Sequence, residues 1–153
     1  MTIRIAALAV TIAALAGCAG SSVSQVATDA SLIAAALPPL LASLSAIPGV
    51  NQTTIATLQA DNATVQADAA LLAKTPSATT AAGIESTIAE FAPLALTLVP
   101  GASPYVPVIE AAVSLAQVLV TDFSAPSTTA ASAVAPTVYT ASQARAILAA
   151  GVH

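Results

Sequence analysis

Thr57-Leu58-Gln59-Ala60-Asp61-Asn62-Ala63 is followed at once by Thr64-Val65-Gln66-Ala67-Asp68-Ala69-Ala70. Two near-identical blocks of seven put Leu58 and Val65 in one register and Asp61 and Asp68 in another. A seven-residue period is two turns of an α-helix, so the repeat presents one apolar stripe and one acidic stripe. Extended outward, Ile55, Leu58, Asn62, Val65, Ala69 and Leu72 step by three and four. The spacing predicts a helix from about Asn51–Thr54, whose side chains can cap free amides, to Lys74, whose charge suits the helix end. Asn62 falls on the seam. A buried Asn there fixes register in paired helices, and a solvated one marks a wet spot in a bundle. Ile55, Leu58, Asn62, Val65 and Leu72 are therefore the candidate helix-pairing residues.

The same stepping occurs on both sides of this segment. Val23, Val26, Ala30, Ile33, Leu37, Leu40, Leu44 and Ile47 form an earlier seam, interrupted by Pro38 and Pro39, where a kink or break is expected. Pro48-Gly49 ends that helix. After a loop at Thr75-Pro76-Ser77, a third helix is expected over Thr80–Val99. Ile84, Ile88, Phe91, Ala95 and Leu98 form its seam, with Pro93 inside it. Pro100-Gly101 turns the chain, Ser103 is the expected cap and Pro104 the first helical residue. The fourth helix should run to about Phe123 on Tyr105, Ile109, Ala112, Ala116, Leu119 and Phe123. Val108, Val113, Leu115 and Val118 widen its apolar face, so it is expected to be the most buried. Residues 124–136 are Ser, Thr, Ala, Val and Pro and read as a linker. Thr140-Ala141-Ser142-Gln143 fits a capping box opening a short helix to Ala150, stopped by Gly151. Ser31-Leu32-Ile33-Ala34 with Pro38 is echoed by Ser86-Thr87-Ile88-Ala89 with Pro93, a weak internal repeat. The expected fold is all-α: a signal helix, an up-down bundle of about four helices in two hairpins over 25–123, a linker over 124–137 and a short C-terminal helix within 138–153.

The N-terminus has a different character. Arg4 precedes an apolar run from Ile5 to Ala16, twelve residues that fall short of the roughly 20 a membrane span needs. One charge, a short apolar stretch and small residues at its end make an export signal. The run closes on Leu15-Ala16-Gly17-Cys18, and Cys18 is the one cysteine of the chain. Here the chain resembles bacterial lipoprotein precursors over residues 1–20. The resemblance implies cleavage between Gly17 and Cys18, removal of residues 1–17, and covalent lipid on Cys18, with residues 18–24 as a tether. Each buried methylene contributes about 0.8 kcal/mol, so several acyl chains hold a protein to a bilayer lastingly. In that family an aspartate after the cysteine favours inner-membrane retention; Ala19 stands there instead. The implied location is the cell envelope, lipid-anchored, in the outer membrane and facing the periplasm.

Charge and composition narrow the function classes. Without residues 1–17 the chain keeps 136 residues, enough for one domain with a core. Taking Arg4 from the formal charge of −4 leaves −5, carried by seven acids against Lys74 and Arg145. No basic patch exists for nucleic acid. The single histidine is His153, the last residue, too loosely held for a general base. Asp61 and Asp68 share a helix face but stand about 10 Å apart by helical rise, which suits a solvated stripe better than a metal site. Glu85 and Glu90 point in different directions, and a Glu90–Glu110 pair is a minor alternative. No glycine-rich phosphate loop is present. A non-enzymatic protein without a cofactor is expected.

Three readings follow. The first is a structural or adaptor lipoprotein that associates with itself or an envelope partner through helix faces. Thr57–Lys74 is similar to the heptads of the major murein lipoprotein, although the terminal lysine by which that family joins peptidoglycan is replaced by Gly-Val-His. The second is a membrane-active, lysis-associated protein, spanin-like or holin-like, favoured by the uncharged stretches 30–60 and Phe91–Ile109. The third is a carrier of an apolar ligand between alanine-rich helices.

Overall fold

A computed structural model describes residues 23–99, 104–123 and 138–151. Among them every regular element is a helix: α1 (Val23–Ser45), α2 (Gln52–Lys74), α3 (Ala78–Leu98), α4 (Val106–Phe123) and α5 (Ala141–Ala150). The expected signal helix, Gly17, Cys18 and most of the 18–24 tether lie outside the described residues. So do the Ser103 cap, the 124–137 linker and His153.

The helix ends follow local chemistry. Asn51 caps α2 by accepting the Thr53 amide, and Ser77 caps α3 by accepting the Thr80 amide at 3.1 Å. The Ser77 cap places the start of α3 two residues ahead of the expected Thr80. In α5 the capping box is complete: Thr140 accepts from the Gln143 amide while Gln143 accepts from the Thr140 amide at 3.0 Å. Gly151 closes that helix at φ 70°, a conformation glycine adopts freely.

Two further boundaries differ from expectation. The first helix already begins at Val23, inside the stretch read as tether. In the fourth, Pro104 and Tyr105 form a turn and the helix starts at Val106. The Val108 and Ile109 amides both donate to the Tyr105 carbonyl, so Pro107, not Pro104, occupies the first turn, where its missing donor costs nothing.

Pro38 and Pro39 do not break α1, which is continuous through them. Both prolines are exposed, as is Pro93 in α3. The carbonyls they leave without an intrahelical donor belong to Ala34, Ala35 and Ala89, residues that are exposed or half-exposed, where water can satisfy them.

α1 packs on α2, α2 on α3 and α3 on α4, and α4 closes the square against α1. Short connections make sequence neighbours antiparallel. Among the described residues the seams meet in one core of 29 buried apolar side chains, ten of them alanine. Small side chains bury little area each, at about 25 cal/mol per Å², and the core's larger contributions come from Phe91, Ile33, Leu37, Leu58 and their like. α4 contributes eight of its eighteen residues to the interior, the wide face expected of it. α5 lies across α4 and α1 as a fifth, outer helix.

Candidate functional site

The seam residues proposed for helix pairing are engaged within the chain. Ile55, Leu58, Val65 and Leu72 are buried in the bundle core. Asn62, mid-helix, is half-exposed, and its Oδ1 accepts from Gln66 Nε2 of the same helix at 3.3 Å. Ile55, Leu58, Val65 and Leu72 thus pack α2 against its own neighbours, and Asn62 does not take part. The face they form is not open to another molecule.

The acidic stripe of α2 turns toward α3 and is not a freely solvated face. Asp61 and Asp68 are both half-buried. One Asp61 oxygen is out of solvent with no hydrogen-bond partner. Burial, and secondarily the charge of Glu90, push its pKa up. Asp68 lies over Gly83: a methyl group built there would meet its Oδ2 at 3.0 Å. The absent side chain at Gly83 is what lets that carboxylate approach α3. Among the described residues no group of three His, Cys, Asp or Glu could hold a metal ion.

Among the described residues, the one fully buried charge lies elsewhere. Asp29, on α1, has no exposed surface. Arg145, on α5, grips it with two parallel bonds: Nε to Oδ1 at 2.7 Å and Nη2 to Oδ2 at 2.7 Å. This fork against carboxylate is the strongest ordinary side-chain pairing. The hydrogen bonds to Asp29 raise the Arg145 pKa further, against a desolvation effect, with the charges of Asp29 and Asp122 adding to the rise. Asp122, near the end of α4, holds one oxygen out of solvent without a hydrogen-bond partner. Arg145 thus sits among two carboxylates from two helices.

Further contacts fix how α5 lies. The Tyr139 amide donates to Oγ of Ser114, a buried hydroxyl on α4, at 3.4 Å. Ala144 and Leu148 are buried, and Ile147 and Tyr139 pack partly against the core. One turn of α5 therefore presents a small residue, a fork of donors and a leucine to a groove with a carboxylate at its floor.

Sequence reasoning did not pick out Asp29 or Arg145, yet a signal was there. Asp29 stands three after Val26 and four before Ile33, on the seam itself, where an unpaired carboxylate is very costly. After Arg4 only Lys74 and Arg145 could neutralise it, and Lys74 is exposed at the end of α2.

Chemically this arrangement recognises and holds a helix. The described residues around it include no nucleophile paired with a base. No known protein-family model, curated protein or solved structure matches the chain.

Proposed function

We propose that this chain is a small lipid-anchored protein of the bacterial cell envelope, joined to the outer membrane through acyl groups on Cys18 and facing the periplasm. Its helical bundle serves a structural or adaptor role. Leu15-Ala16-Gly17-Cys18, closing an apolar run at the chain's single cysteine, carries this reading. The fold supports a division of labour. α1 and α4 are each long and apolar enough to cross a membrane, but both are core helices whose seams face their neighbours. Among the described residues, the large apolar side chains left exposed are Leu71 on α2, Leu96 on α3 and Val138 ahead of α5. A bundle that buries its own seams needs a separate anchor to stay at a bilayer, and lipid on Cys18 is that anchor. The partner-binding surface of an adaptor must then lie outside the α2 seam.

Intact-mass measurement of the exported protein tests the proposal. The expected product begins at Cys18 and carries acyl groups there, and a Cys18→Ser variant is released from membranes by alkaline extraction. A product that keeps residues 1–17, or lacks acyl groups, overturns the anchor. A Cys18→Ser variant that stays in the membrane favours the membrane-active reading, to which the length and apolarity of α1 and α4 point.

A further inference from the structure

α5 depends on the rest of the fold. Ten residues are too few for an isolated helix, which needs about 12–15 to be even marginal in water. Of the buried apolar side chains among the described residues, α5 supplies only Ala144 and Leu148; the others lie on α1–α4 and at Val99. The side-chain bonds joining α5 and its lead-in to the bundle reach back 116 residues, to Asp29, and 25 residues, to Ser114. The covalent length of residues 124–137 could span about 46–50 Å at full extension, more than the roughly 35 Å length of α1. By covalent length alone the connection is long enough to reach a groove on an adjacent copy.

Charge identifies the occupant. The groove floor is a carboxylate with no exposed surface, and it demands a cation at one register, one residue after a small side chain and three before a leucine. The chain holds one arginine in that setting, Arg145. A second copy supplies the same helix with the same register and the same Tyr139 amide for Ser114.

We propose that the groove between α1 and α4 is an interaction surface for α5 of a second copy: two chains pair by exchanging their last helices, each giving Arg145 to the other's Asp29. In dilute solution docking within one chain prevails, because a covalent tether keeps the helix near its own groove at an effective concentration in about the millimolar range. Exchange takes over when copies crowd to a comparable density. This deepens the association role proposed above, and lipid anchoring would supply the crowding, but the groove and its key do not depend on the lipid.

The test co-expresses two differently tagged full chains, one carrying Asp29→Arg and the other Arg145→Asp, and captures one tag from detergent extract. Within each variant the charges repel, and between them both pairs are restored. Exchange predicts that the mixed pair is co-captured about tenfold or more above either variant with itself. Equal recovery of mixed and like pairs overturns it. A second measurement leaves the charges untouched, for the case in which Asp29→Arg does not fold. Ser114→Cys in one copy and Tyr139→Cys in the other, both with Cys18→Ser, are mixed at about 1 mM, where docking within and between chains compete evenly, and oxidised. One cysteine per chain cannot crosslink within a chain, so a disulfide-linked product joining the two variants supports exchange. Monomer alone sinks it, whatever the mass of the lipidated protein shows.

Discussion

Asp61 sits where two helices bring carboxylates together, and its protonation shows what a single side chain costs here. Burial first and Glu90 second raise its pKa, so the fold favours the neutral acid. The sign follows from linkage. The unfolded chain releases this proton near pH 3.9, the ordinary Asp value, while the folded chain still holds it. Stability contributed by the protonated form is fully present below that pH and is lost as pH rises through the folded-state value. Asp61→Asn should therefore be more stable than the native chain at pH 7, by up to about 1 kcal/mol after allowance for solvent screening. The advantage should shrink toward pH 3. Urea unfolding at both pH values measures it, and an Asn variant that is less stable at pH 7 would mean that the charge is useful. Asp68 shows the opposite accommodation, since α3 makes room for it with Gly83.

The helices solve a different problem, how to build a surface with almost no charge. Ser and Thr hydroxyls turn back on their own turns: Thr28 donates to the Ser24 carbonyl at 2.8 Å, Ser31 to Ala27 at 2.8 Å, Thr64 to Ala60 at 3.1 Å and Thr87 to Gly83 at 3.0 Å. Each hydroxyl is satisfied without a partner from another element, at some loss of helix propensity. Proline is the other oddity. Pro93 is exposed inside a continuous α3, so the bond it removes is not replaced by a packing contact of its own. An interior proline costs about 3 kcal/mol, offset in part by the stiffer unfolded chain. Pro93→Ala is expected to stabilise the protein by about 1–2 kcal/mol, read as a higher urea midpoint at unchanged slope. A lower midpoint would show that the proline sets the path of α3 and with it the place of Phe91. The echo between α1 and α3 is consistent at this scale, with Ile33 and Ile88 inside and Pro38 and Pro93 outside.

At the largest scale the described helices form a closed square carrying a keyed fifth. Its stability should be uneven, because α5 rests on two buried apolar side chains, one fork of hydrogen bonds and one hydroxyl contact. Hydrogen exchange followed by mass spectrometry should find Ala141–Ala150 opening before α2 and α3. A charged hydrogen bond contributes about 1.5–3 kcal/mol, so Arg145→Met should speed exchange across α5 by about 10- to 100-fold. It should leave the amides of α2 and α3 as they were. Equal acceleration throughout would make α5 an integral part of one cooperative unit and the groove a core interface.

The amino-acid sequence alone determined that the chain is helical, which side of each of the first four helices is apolar, and how α5 is capped. Periodicity and capping act within a turn or two, so neighbours in sequence carry the whole message. Tertiary structure decided which faces met. It turned the α2 seam into this molecule's own core, left Asn62 to a bond within its helix, set Asp68 over Gly83, and brought Asp29 to Arg145 across 116 residues. A lone charge has no local pattern announcing its partner. That choice falls to the packing of surfaces far apart in the chain, where burying a carboxylate is tolerable only at the one place an arginine can reach it.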